Sequence, residues 1–155
     1  MLISANSLAI LGGAIALAGG LIGSSIGIGI AASAGSATLA EEPGQFRNVI
    51  VLASLPMTQT FYGLIVLILI ITAANNLPAE AGAGFAILGC GLIAAAAECF
   101  SAIYQGNVCA SGISLLPKTK GRNFTSAMIL AVFVELLGVL GLVFTIMAIN
   151  MVQAA

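Results

Sequence analysis

The run Leu130-Ala131-Val132-Phe133-Val134-Glu135-Leu136-Leu137-Gly138-Val139-Leu140 sets one carboxyl group in the middle of an otherwise apolar segment, residues 124–152. At about 1.5 Å rise per residue, a helix of that length crosses a bilayer with turns to spare. Glu135 lies eleven residues in from Phe124, which is about 16–17 Å down the axis and near mid-membrane. A carboxylate at that depth costs several kcal/mol unless it is protonated, paired or coordinating a cation. Its own helix offers nothing to neutralise it. Partners must come from elsewhere in the chain.

Composition puts the whole chain in the same environment. Of 155 residues 61% are hydrophobic and 6% charged, with no His, no Trp and a net charge of −1; such a chain reads as a membrane protein. Four Lys and Arg in all exclude an electrostatic nucleic-acid binder. The start, Met1-Leu2-Ile3-Ser4-Ala5-Asn6, lacks the basic stretch of a cleavable signal, so the first hydrophobic run is expected to be retained.

Polar punctuation divides the chain into four long runs, at residues 8–40, 48–74, 82–116 and 124–152. Each exceeds the ~20 residues that a bilayer demands, so the helices are expected to tilt or protrude. The halves 1–78 and 79–155 are related. Gly29 and Gly35 match Gly106 and Gly112 at an offset of 77, and Gln59 matches Glu135 at an offset of 76. The pattern reads as a helical hairpin duplicated and fused, with the acidic position kept only in the second copy. The expected fold is therefore an all-α membrane protein of four transmembrane helices in two hairpins. All four basic residues lie in two loops, Arg47 in 41–47 and Lys118, Lys120 and Arg122 in 117–123. The positive-inside rule makes those loops cytoplasmic and puts both termini and the Pro78 loop outside.

In the first run Gly19, Gly23, Gly27, Ala31 and Gly35 recur every four residues, a stripe of small side chains that lets helix backbones approach closely. The third run has a looser version in Gly82, Ala86, Cys90, Ala94, Ala102, Gly106 and Ala110. Two such stripes point to crowded helices on an inner surface, as in a homo-oligomeric ring. A monomeric four-helix bundle is the alternative.

Counting inward from the loops, Gln59 is eleven residues from Asn48, Gln105 eleven from Leu116 and Glu135 eleven from Phe124. Three helices thus bring side-chain oxygens to one level. Leu55, Thr58, Gln59 and Tyr62 share one helical face, and Pro56, lacking an N–H, distorts the backbone beside them. Hard oxygen donors without nitrogen or sulfur ligands suit a hard cation, and one carboxylate balances one positive charge. Na⁺ or H⁺ fits better than a divalent ion. The surplus of oxygens favours Na⁺, which must replace a hydration shell; the alternative is that Gln59 and Gln105 hydrogen-bond a protonated Glu135.

Glu98 sits seven residues before Gln105, about 10 Å further from the loops, with no partner visible at its level. It is expected to be structural, as a protonated acid bonded to a neighbouring helix, or to face a polar central space. Cys90, Cys99 and Cys109 have no metal-site spacing and read as small packing residues. No nucleophile–base pair, phosphate loop or metal triad points to an enzyme. A small secondary transporter or pore coupled at Glu135 is the competing class.

At Leu55-Pro56-Met57-Thr58-Gln59-Thr60-Phe61-Tyr62-Gly63, with Gln105-Gly106 and Phe133-Val134-Glu135, the chain resembles the proteolipid (K or c subunit) of V-type rotary ATPases, in particular the bacterial sodium-translocating form. The resemblance spans essentially the whole chain. It implies a rotor ring with the first and third helices inside, and Na⁺ ligands from the Leu55 carbonyl, Thr58, Gln59, Gln105 and Glu135. Tyr62 would hydrogen-bond the carboxylate. Implied partners are further copies of the chain, a stator membrane subunit bearing an arginine, a central-stalk subunit on the cytoplasmic loops, and lipid. Two departures stand out. Leu136 follows the carboxylate where the sodium-type pattern has a hydroxyl residue, and Glu98 is outside the pattern.

Overall fold

The structure is a computed structural model describing residues 4–75, 77 and 81–154. The Pro78 turn, expected outside the membrane, and the junction of the halves at 78 and 79 lie outside the described residues. Four helices are long and apolar enough to cross a membrane: Ala5–Glu41, Pro43–Ala74, Gly82–Ser114 and Phe124–Ala154. The chain is an integral membrane protein with four spans.

Helix α1 (Ala5–Glu41) begins on Ser4, whose hydroxyl accepts from the Ser7 N–H at 3.1 Å. So glycine-rich a segment would be a poor helix in water. In a bilayer the backbone must satisfy its own N–H and C=O groups, and the helix is the way to do so within one segment. It stops where Glu42 N–H caps onto Thr38 and Pro43 opens the next turn. The second span differs from the single helix expected over 48–74. It comprises α2 (Phe46–Ser54), a 3₁₀ turn at Leu55–Met57, and α3 (Thr58–Ala74). Pro56 has no N–H to give to Leu52, and its ring crowds that carbonyl, so the helix tightens there for one turn. α4 (Ala81–Ser114) ends two residues short of the expected 116, because Pro117 starts a separate turn, α5 (Leu116–Thr119). Lys120 and Gly121, both left-handed with φ of 50° and 78°, reverse the chain into α6 (Phe124–Ala154).

The most extensive packing is between α1 and α4. Gly19 faces Ala95, Gly23 faces Cys99, and Gly27 faces Ala102 and Gly106. A methyl group on Gly23 would stand 2.5 Å from the Cys99 carbonyl oxygen, so no side chain larger than hydrogen fits. The small-residue stripe is therefore consumed inside the chain, joining the two hairpins. The expected crowding of the two stripes is found between the first and third helices of one chain, the third carrying the complementary small residues. Gly35 meets Val49 of α2 and Gly112 meets Ala127 of α6, so these matched glycines each admit the second helix of their own hairpin.

With α3 against α1 and α6 against α4, the helices form two layers. Two apolar clusters lie at different depths. One gathers Ala16, Val66, Ile70, Ile87, Cys90, Ala94 and Ile149; the other, nearer the basic loops, gathers Ala31, Leu52, Cys109, Ile113, Leu116 and Ala131. Cys90 and Cys109 thus pack as small apolar residues. The level between the clusters holds buried Gln59, Glu98, Ser101 and Gln105.

Gly23→Ala is expected to lower the thermal denaturation midpoint of the detergent-solubilised protein, with an overpacking cost of about 1–3 kcal/mol. Gly29→Ala, where no atom lies within 4 Å of an added methyl, should leave it unchanged.

Candidate ion-binding site

The 3₁₀ turn at Pro56 sets the first wall of the site. It brings the Leu55 carbonyl under Thr58, and that carbonyl accepts both the Thr58 backbone N–H and the Thr58 hydroxyl, the latter at 3.2 Å. Thr58 Oγ1 has a second acceptor in Gln59 Oε1 at 3.1 Å. Gln59 is fully buried. Its amide nitrogen donates to Gln105 Oε1 at 3.0 Å and to Ser101 Oγ at 3.1 Å, which uses both of its N–H groups.

Gln105, also fully buried, passes the connection to α6 by donating from Nε2 to Glu135 Oε2 at 3.1 Å. The other carboxyl oxygen, Glu135 Oε1, accepts from the Tyr62 hydroxyl at 2.9 Å. Ser101 Oγ donates in turn to the Val134 carbonyl at 3.1 Å, fixing α4 to α6 beside the carboxyl. The expected residues Leu55, Thr58, Gln59, Tyr62, Gln105 and Glu135 therefore form one continuous hydrogen-bonded cluster across three spans. Glu135 itself is half-buried and lies at the edge of the bundle, whereas the glutamines are inside. Among the described residues no three His, Cys, Asp or Glu side chains gather. The donors on offer are hydroxyl, amide, carbonyl and carboxyl oxygens.

Ser101 was not among the expected site residues, yet it ties Gln59 to α6. Its signal in the sequence is its position one helical turn before Gln105, on the same face. Leu136, the departure beside the carboxyl, is 47% exposed and lines a shallow surface groove with Leu55, Met128 and Val132. Glu98 does not face a central space, and it has no bond to a neighbouring helix. It is fully buried against Gly138 and Gly141 of α6, and neither carboxyl oxygen has a hydrogen-bond partner. The two glycines leave the volume that its side chain occupies.

The sequence profile of one protein family, the ATP synthase C subunits, matches twice, at residues 11–70 and 88–148. The chain belongs to this family. The double match covers both hairpins, in keeping with a duplicated unit. Among relatives, the V-type sodium ATPase subunit K of Enterococcus hirae is 37% identical over 123 residues, covering 79% of this chain and 77% of that one. The A-type ATP synthase subunit K of Methanocaldococcus jannaschii is 34% identical over 134 residues, covering 86% of this chain and 57% of its own length. The protein is thus a V/A-type ATPase proteolipid, an ion-carrying rotor subunit that is itself non-catalytic.

In this proteolipid the Tyr62 hydroxyl holds one carboxyl oxygen. Tyr62→Phe removes a hydrogen bond to the Glu135 carboxyl, worth about 1–3 kcal/mol. It is expected to raise the ion concentration that half-protects Glu135 from carbodiimide by about tenfold or more, with the helical content unchanged.

Proposed function

We propose that the ion carried is Na⁺, one per chain, held by the Leu55 carbonyl, Thr58, Gln59, Gln105 and Glu135, with Tyr62 steadying the carboxylate. The supporting observation is the surplus of oxygens. A proton needs one acceptor, whereas five residues from three spans bring oxygens to one connected cluster. Both oxygens of Glu135 already face donors, Tyr62 and Gln105, as suits a carboxylate whose charge is balanced by a cation. The Enterococcus hirae relative is a sodium ATPase subunit by name, which lends the same reading weight. H⁺ bound at Glu135 is the alternative cargo.

In this reading the ion neutralises Glu135, so a loaded site can travel past lipid. An empty one cannot, by several kcal/mol. Each subunit must then reload before it leaves the stator. Copies of the chain form a ring with α1 and α4 inside and α3 and α6 outside, and a stator arginine displaces the ion. Moving one charge through 100 mV is worth about 2.3 kcal/mol, so one ATP drives only a few ions. Loops 41–47 and 117–123, which carry every Lys and Arg, are the cytoplasmic seat of the central stalk, with both termini outside.

Carbodiimide should label Glu135, and Na⁺ near neutral pH should protect it; labelling that responds to acidity alone would make the cargo a proton. In the assembled complex, Glu135→Gln is expected to abolish ion-coupled ATP hydrolysis while the ring stays intact, and normal transport by that variant would remove Glu135 from the mechanism.

A further inference from the structure

Among the described residues, Glu98 is the one buried carboxyl that the ion site does not use. Its relative exposure is 0%, and both of its oxygens lack a hydrogen-bond partner. A charge left there would be uncompensated at membrane depth, whereas a neutral carboxylic acid requires only one acceptor for its O–H. The surroundings contain one. A methyl group on Gly138 would stand 2.9 Å from Glu98 Oε2 and 3.0 Å from Ser101 Oγ, so both oxygens border the same small space beside α6. The Ser101 hydroxyl can donate once and accept twice. It donates to the Val134 carbonyl and accepts from Gln59 Nε2, which leaves one lone pair free.

The other titratable groups near this level are Tyr62 on α3 and Glu135 on α6, which are bonded to each other, and Tyr104 on α4, whose side chain is exposed. Cys99 follows Glu98 on α4 and lies on the face that meets Gly23. The packed face of α1 brings glycine and serine here; its one titratable side chain, Glu41, lies at its far end. No cation faces Glu98 among the described residues of the spans.

We propose that Glu98 is a second proton-binding site in each subunit, a carboxylic acid that keeps its proton through the ion cycle and donates it to Ser101 Oγ. The terminal carboxyl torsion is broad, and its rotation turns the O–H toward the small space that the group shares with Ser101 Oγ. Through Ser101 the acid positions Gln59 and hence the oxygens around Glu135. It is a positioning residue, with no ion of its own to carry. The proton assignment stands apart from the choice of cargo; the positioning role rests on the Na⁺ reading above.

Infrared spectroscopy of the Na⁺-saturated ring tests the proton. The carbonyl stretch of a protonated acid should be present, should persist in Glu135→Gln, and should vanish in Glu98→Gln. A Na⁺-saturated ring without that band overturns the proposal, whatever the cargo. The positioning role is read from the Na⁺ concentration that half-protects Glu135 from carbodiimide. Glu98→Gln, whose neutral amide can still donate to Ser101, should stay within about twofold of wild type, whereas Glu98→Leu should require about five- to tenfold more Na⁺, the loss of one neutral hydrogen bond. Unchanged protection in Glu98→Leu removes the link through Ser101. Complete loss of Na⁺ protection of Glu135 in Glu98→Gln would instead make Glu98 an ionised member of the site. If the wild type shows no Na⁺ protection, the cargo reading fails and the infrared band alone decides the proton assignment.

Discussion

A carboxyl group at mid-membrane needs partners at its own depth, and a single helix cannot provide them. That constraint accounts for most of the arrangement around Glu135. Its two oxygens are met by Tyr62 from the second span and Gln105 from the third. Gln105 is in turn held by Gln59, and Gln59 by Ser101, which returns to the backbone of α6 at Val134. The chain of bonds leaves α6 and comes back to it. In a medium that supplies no water, a network of this kind stands only when every member is satisfied.

Close packing makes the network possible. Gln59 and Gln105 can meet only if the helices that carry them are held at short range. The contact of α1 with α4, nearly backbone against backbone, does this for the two hairpins. The apolar clusters above and below seal the polar level at both ends. Pro56 adds a local adjustment. The 3₁₀ turn changes the angular phase of α3 relative to α2, and it brings the Leu55 carbonyl and the Thr58 hydroxyl to the same place.

Much of this is legible in the sequence. Four apolar runs, the related halves and the equal depths of Gln59, Gln105 and Glu135 follow from hydropathy and from the constant rise of a helix. The Thr58-Gln59-Tyr62 face follows from helical periodicity. What escapes depends on which face meets which neighbour, and periodicity alone does not settle that. The small-residue stripes of α1 and α4 read as crowded helices, but small residues announce a close approach without naming the partner. Ser101 passes unnoticed because a serine in a helix interior ordinarily bonds its own preceding turn, as Ser25 and Ser33 do here. Glu98 invites a polar surrounding because a carboxyl normally has one. The space that receives it is made by Gly138 and Gly141, residues whose role shows only when two helices are laid together.

The contact of α1 with α4 bears on mechanics as well as on architecture. Backbones separated only by glycine leave no flexible side chains to absorb a shear, so the two hairpins move as one stave. The flanks left free carry long, bendable groups, among them Leu21, Ile22 and Ile26 on α1 and Phe100, Tyr104 and Phe133 on α4 and α6. In an assembly of many staves, elastic give under torque would collect at the seams between subunits, sparing the geometry inside each one.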